Sequence, residues 1–335
     1  MKLKPPRGAI VGDSPFLWVM RFDAKGAGAI VSDPTPPSLD AHGGGYVWVH
    51  LNVADLRYRD WVAAQPDIPP EAKALLVTPD THQRLGADEA TLWGVLPDRG
   101  RDLERREDVL RHLRIVVTAR GVVTARRYAV QSTAAVRQAA LAGARILTPL
   151  DLFERLVEET LSDMDEGIDA LFAEFNEIED RVLDDESRDE RRRLGGLRRH
   201  TIRLHREIAD AQRVFARLGQ TGRLSESIHA TLRRLSQRFD ALHQELEALQ
   251  ARARLLQDEI VSNLTAETNR QLYVLTILGT LLMPPTLISG IFGMNTKNLF
   301  FSESEYGTIY ATLLGVCASV AALLVLIWIR RRAQD

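Results

Sequence analysis

The chain has 335 residues, room for about two domains, and a formal charge of -2. That near-neutral balance gives no basis for nucleic-acid binding. Its single cysteine, Cys317, excludes an intramolecular disulfide and a thiolate metal cluster within one chain.

Residues 1–148 hold most of the Pro, Gly and Trp and read as a compact α/β domain. The opening Met1-Lys-Leu-Lys-Pro-Pro-Arg7 is not followed by an apolar stretch long enough for a signal peptide, so this domain is expected in the cytoplasm. Strands are expected over 15–22, 46–51, 91–96, 113–118 and 122–126. In the second, Val47, Val49 and Leu51 alternate with Trp48 and His50, the pattern of a half-buried strand. The last two flank Ala119-Arg120-Gly121 and predict a hairpin, with Gly121 free to take positive φ. Helices are expected over 55–64, capped by Asp55; over 70–76, with Pro70 in the first turn; and over 133–142.

This domain offers little chemistry. Gly43-Gly44-Gly45 precedes a strand instead of following one, so it reads as a turn and not as a phosphate loop. His42, His50, His82 and His112 lack metal-ligand spacing and read as surface or half-buried residues. Asp98, Asp102, Glu104, Glu107 and Asp108, interleaved with Arg, read as a solvated loop.

Residues 149–270 read as a helical stem, since no proline occurs between 150 and 283. A first helix starts at Pro149, with Thr148 or Asp151 as its cap, and runs to about 183. Phe153, Leu156, Val157, Leu161, Met164, Ile168, Leu171, Phe175, Ile178 and Val182 share one face of it. Asp184-Asp185-Glu186-Ser187 breaks the chain, and a basic second helix covers about 188–218, ended by Gly219-Gln-Thr-Gly222. The acidic stretches 163–169 and 174–190 read as solvated faces, with regulatory cation sites as the alternative. A third helix begins near 224. Leu232, Leu235, Phe239, Leu242, Leu246, Leu249, Ala253, Leu256 and Ile260 form a heptad seam along it. No stop signal separates that helix from the apolar run that follows. One helix is therefore expected from 224 to about 292, roughly 100 Å at about 1.5 Å per residue.

Two apolar runs close the chain, 271–292 and 308–329, each about 22 residues and long enough to cross a ~30 Å hydrocarbon core. They predict two transmembrane helices, 271–295 and 308–329, joined by a loop over 296–307. Arg330, Arg331 and Arg332 follow directly and place the 330–335 tail in the cytoplasm, with the N-terminus. The loop carries Lys297, Glu303 and Glu305 and is slightly acidic.

The first span has a polar, small-residue stripe. Leu264, Asn269, Leu272, Leu275, Thr276, Gly279, Met283, Thr286, Gly290 and Asn295 recur near helical spacing, whereas Tyr273, Ile277, Leu281 and Leu287 are uniformly apolar. Such a stripe must face protein or water, and several copies around an axis would make it a pore lining. The plainer reading is that its hydroxyls and amides bridge packed helices.

Asn269-Arg-Gln-Leu-Tyr-Val-Leu-Thr276, Met283-Pro-Pro-Thr286 and Gly290-Ile-Phe-Gly-Met-Asn295 together resemble the signature of the CorA superfamily of divalent-cation transporters. Residues 46–52, 114–127 and 191–199 look most like its ZntB zinc-transporter branch. The loop carries neither the MPEL sequence of many magnesium-type members nor the Gly-Ile-Pro-Gly of zinc-type ones. The resemblance implies an α+β membrane protein of the bacterial inner membrane: a funnel-shaped homopentamer with a cytoplasmic α/β domain, a long stalk helix and two C-terminal spans. It implies a transporter and not an enzyme, with no cofactor. Gly293, Met294 and Asn295 match the selectivity motif at the outer mouth. Asn269 and Thr286 match polar pore positions, Leu272, Leu275 and Met283 the hydrophobic constriction, and Arg330–Arg332 the inner basic belt. Thr276 and Gly279 lie on the same stripe. The implied cargo is Zn2+, taken up with proton coupling, or Mg2+ or Co2+, with Ni2+ and Cd2+ as further candidates. A membrane-anchored scaffold is the competing class.

No Asp, Glu, His, Arg or Cys lies between Gln271 and Asn295, so a pore there cannot replace an ion's water with charged or sulfur ligands. It is expected to pass a hydrated dication held weakly by amide and carbonyl dipoles. Glu303 and Glu305 would concentrate cations at the mouth.

Overall fold

The computed structural model describes residues 14–32, 37–39, 44–79, 82–100, 110–184, 187–220, 224–293 and 306–332. It forms two compact units, Met1–Asp180 with Arg192–Arg254, and Arg181–Arg191 with Leu255–Asp335.

The first unit contains one seven-stranded sheet. Its strands are β1 (Phe16–Phe22), β2 (Gly28–Ile30), β3 (Tyr46–Asn52), β4 (Arg84–Ala87), β5 (Leu92–Arg99), β6 (Leu110–Val117) and β7 (Gly121–Arg126), in the spatial order β2-β1-β3-β7-β6-β5-β4. Every neighbouring pair is antiparallel except β3 and β7 at the centre. The expected strands are present. The edge strands β2 and β4 were not expected: they are three and four residues long and offer no alternation to read.

β3 differs from its half-buried expectation, because six of its seven residues are buried. Val47, Val49 and Leu51 pack beneath α1 (Tyr58–Ala64) and α2 (Pro70–Val77), against Tyr58, Trp61, Ala72 and Leu76. The other face is also covered, so His50 is wholly buried and not at the surface. Its ring stacks on Trp18 at 3.9 Å. Its Nε2 accepts from Arg126 Nε at 2.9 Å, which leaves Nδ1 to donate to Thr124 Oγ1 at 2.7 Å. Burial, then Arg126 and Arg137, lower its pKa well below the ordinary histidine value, so the ring is neutral.

Three local readings are corrected. Gly121 opens β7 without positive φ; a Cβ there would meet the Val47 carbonyl at 2.7 Å, so close approach of β3 is what requires glycine. The hairpin turn is instead tied by Thr118, whose Oγ1 accepts from the N–H groups of Arg120 and Gly121. Asp55 does not cap α1, which begins at Tyr58 without a side-chain cap; its carboxylate holds the N–H and guanidinium of Arg57 in the preceding turn. Asp98 is not in a solvated loop. It lies fully buried in β5 and accepts the Ser132 N–H (3.3 Å) and hydroxyl in the first turn of α3 (Gln131–Leu141). It thus caps a helix from 34 residues away. Burial raises its pKa to about 6 despite the Ser132 hydrogen bonds. Residues 102–108 and 42–43 lie outside the described set; Gly44 takes φ +80 in the turn before β3.

The stem follows the sequence closely. α4 (Pro149–Leu183), α5 (Ser187–Gly219) and α6 (Glu226–Gly293) are all present. Thr148 and Asp151 cap α4 reciprocally: Thr148 Oγ1 accepts the Asp151 N–H at 3.1 Å, and Asp151 accepts the Thr148 N–H at 3.0 Å. All ten expected apolar residues of α4 and all nine seam residues of α6 are buried. Phe215 of α5 lies 6.4 Å from Phe153 of α4 and 5.0 Å from Phe239 of α6, so three helices share one core. Within the acidic stretches, Asp163 and Glu190 are buried instead of solvated. Asp163 accepts from Gln131, and Glu190 pairs with Arg181 at 3.3 Å.

In the second unit α6 continues unbroken through Pro284 and Pro285, and α7 (Gly307–Arg332) contains the second apolar run. Both helices are long and apolar enough to cross a membrane.

Candidate functional site

The prolines of α6 pose a local problem. Pro285 has no N–H, so the Leu281 carbonyl loses its intrahelical donor. Ser319 of α7 supplies one. The residue is 3% exposed, and its hydroxyl lies 2.9 Å from the Leu281 oxygen and 3.0 Å from that of Gly315, between which its one hydrogen is shared. One turn earlier on α7, Gly315 admits Pro285: a Cβ there would lie 3.4 Å from Pro285 Cα. A small residue and a hydroxyl, four apart, thus dock α7 on the prolines, the way packed apolar helices satisfy a freed carbonyl. The sequence reading missed both, because a lone Gly and Ser in an apolar run carry no signal until the helix they face is known.

This docking fixes the faces of α6. The half-buried residues Tyr273, Ile277, Thr280, Pro284, Pro285, Ile288 and Phe292 recur at helical spacing on the α7 side. On the opposite side Leu272, Leu275, Gly279, Met283, Thr286, Gly290 and Gly293 are all exposed. Of the expected stripe, Leu264 is half-buried, whereas Leu272, Leu275, Thr276, Gly279, Met283, Thr286 and Gly290 therefore share one outward face. Gly279, Met283, Thr286 and Gly290 line a groove along it, shared with Leu282, Leu287 and Ile291. Leu287, expected on the uniformly apolar face, lies on the groove instead. Thr276 and Thr286 donate their hydroxyl hydrogens to the carbonyls of Leu272 and Leu282, at 2.8 and 2.7 Å. Their oxygens keep lone pairs for a ligand. Asn269 is exposed, but at about 3.6 residues per turn it sits roughly 80° from the stripe's centre.

Gly293 ends α6. Met294, Asn295, Glu303 and Glu305 lie outside the described residues, as do the side chains of Arg330 and Arg331. Arg332 is exposed, with its guanidinium 5.3 Å from the Trp328 ring centre.

The family profile described as "CorA-like Mg2+ transporter protein" matches residues 43–331. The chain belongs to the CorA family. Solved structures share its fold. The full-length CmaX protein superposes with a TM-score of 0.74 at 21% identity, over 97% of this chain and 100% of that one. The CorA magnesium transporter from Methanocaldococcus jannaschii gives 0.71 at 16%, over 92% and 96%. The ZntB cytoplasmic domain from Vibrio parahaemolyticus RIMD 2210633 gives 0.62 at 14%, over 74% and 98%. The CorA fold thus accounts for the α/β unit, the long helix and the two apolar helices.

Proposed function

We propose that this chain carries divalent cations across the bacterial inner membrane through a pore lined by the outward face of α6 in a homopentamer. The observation that carries the reading is the exposed stripe from Leu272 to Gly293: uncharged, broken by glycines, and turned away from α7 in a chain of the CorA family. Large apolar residues on both spans, Leu313, Leu324 and Trp328 among them, are exposed as a lipid-facing surface would be. With no charged ligand along the stripe, the ion keeps most of its water. Five Asn295 amides, with the backbone near Gly293 and Met294, read it by dipoles weak enough to release it. Leu272, Leu275 and Met283 form the apolar constriction, closing by dewetting. Thr276, Gly279 and Thr286 widen and wet the path. Glu303 and Glu305 gather cations outside, and Arg330–Arg332 meet lipid headgroups at the cytoplasmic side. An inside-negative potential of 100 mV favours entry of a dication by about 4.6 kcal/mol.

Zn2+ uptake is the first reading, on the resemblance to the ZntB branch; Mg2+ or Co2+ is the second, favoured by the description of the matching family. Proteoliposomes loaded with dyes for Zn2+, Mg2+ and Co2+ separate them. We expect flux of at least one ion, strongest for Zn2+, and its loss in Asn295→Ala. Flux of Mg2+ alone selects the second reading. No flux, or full flux in Asn295→Ala, removes the pore.

A further inference from the structure

We propose that His205, His243 and Glu247 form a binding site for a zinc-class transition metal that ties α5 to α6 inside the first unit. The site is separate from the α6 stripe and uses different chemistry. One ligand atom from each of the three residues lies within 4.8 Å of the other two. The imidazoles of His205 and His243 face each other with ring centres 4.6 Å apart. Glu247 follows His243 by four residues on the same helix face, its Oε1 3.6 Å from His243 Nε2.

Two features distinguish this trio from an ordinary surface ion pair. First, His205 Nε2 and His243 Nδ1 are both shielded from solvent, and among the described residues neither has a hydrogen-bond partner. Shielded polar nitrogens ordinarily find one. The two rings are only partly buried, whereas the orphaned atoms are closed off where the helices meet. Second, the helices around them are held in place. Ala211 and Phe215 of α5 and Leu242 and Leu246 of α6 are buried, and Gln212 donates to Asp240 across the helix pair at 2.7 Å. Rigid helices on both sides are what a preorganised site needs.

The donor set selects the ion. Two imidazole nitrogens and one carboxylate oxygen, with the last position left to water, suit Zn2+ at ligand distances of about 2.0–2.2 Å. Tetrahedral ligands at that range stand about 3.4 Å apart, and the in-plane lone pairs of two stacked rings do not converge, so one imidazole must turn about its side-chain torsions as the ion binds. Mg2+ prefers oxygen ligands and holds its water, and does not fit this set. Glu247 is exposed and can swing in as third ligand.

The sequence reading overlooked this trio because His205 is remote from the other two. The His243-x-x-x-Glu247 spacing was the only local signal.

The test is a Zn2+ titration of the full-length, chelator-stripped protein in detergent against a chromogenic competitor. Wild type should bind one tight Zn2+ per chain and should melt at a higher temperature once loaded. His205→Asn and His243→Gln, chosen to keep ring-sized polar groups, should lose that ion and the zinc-induced shift. Glu247→Gln should weaken it, and Asn295→Ala should retain it, which separates this site from the pore. Co2+ should give the intense visible absorption of a four-coordinate site, also lost in both histidine variants. A large excess of Mg2+ should leave it intact. Melting of the stripped variants beside stripped wild type checks folding. Undiminished tight binding in both histidine variants, or displacement by Mg2+, overturns the proposal; so does a wild type that binds no tight Zn2+.

Discussion

Leu246 and Leu275 lie on the same helix and meet opposite surroundings. Leu246, in the first unit, is fully buried between helices of its own chain; Leu275, in the second, keeps 66% of its surface exposed. In the first unit apolar periodicity describes a core that one chain completes. In the second, beyond Ile260, the large apolar side chains of α6 and α7 stay mostly exposed. The polar residues divide likewise. Asp98 and His50 are buried with partners supplied by distant strands and helices, whereas Thr276 and Thr286 donate to carbonyls of their own helix and lie exposed.

The largest test of that contrast is Leu246→Ala. It removes a buried side chain from the shared core and should destabilise the first unit by about 2–5 kcal/mol, read from denaturant or thermal unfolding in detergent. A change under about 1 kcal/mol would mean that the seam is not a closed core.

Asp98→Asn tests the buried polar half. Burial raises the Asp98 pKa from 3.8 to about 6, so the folded chain holds this proton more tightly than the unfolded one. The contribution is complete below pH 4 and is lost as pH rises through 6. Asparagine cannot titrate, so the stability of the variant relative to wild type should grow between pH 4 and pH 7, by on the order of 1–3 kcal/mol. His50 acts in the opposite sense, its lowered pKa costing stability as pH falls below the ordinary histidine range. Both proteins carry His50, so the difference between them isolates Asp98. A pH-independent difference would contradict the buried carboxyl.

Ser319→Ala probes the hydrogen bond between α7 and the Leu281 carbonyl of α6. It leaves the Leu281 carbonyl without a donor and should lower stability by about 1–3 kcal/mol. Ser319→Thr, which keeps the hydroxyl, should lose less. Smallest is Leu275→Ala, expected to change stability by no more than about 0.5 kcal/mol while altering flux.

The stem was legible because the buried apolar residues recur at helical spacing from Phe153 to Val182 in α4 and from Leu232 to Ile260 in α6, and length makes such a pattern hard to mistake. The outward stripe was legible for the same reason. The polar contacts were not. Asp98 meets Ser132, His50 meets Thr124 and Ser319 meets Leu281 across separations of 34, 74 and 38 residues, and no local pattern announces such a partner. Asp98 was misplaced because its neighbours in sequence are charged, although its own strand runs on to Arg99. Leu287 was misplaced because it follows Leu281 by six residues, which at about 3.6 residues per turn carries it roughly 120° round the helix, off the face that meets α7.

The central claim is that the α6 face opposite α7 conducts. It is tested most directly by thiol block of ion flux in proteoliposomes, in a Cys317→Ser background. Thr286→Cys lies on the groove and Ile288→Cys on the α7 side, two residues away. The account predicts that a membrane-impermeant thiol reagent stops flux through Thr286→Cys and leaves Ile288→Cys conducting. Equal block of both, or block of Ile288→Cys alone, would contradict it.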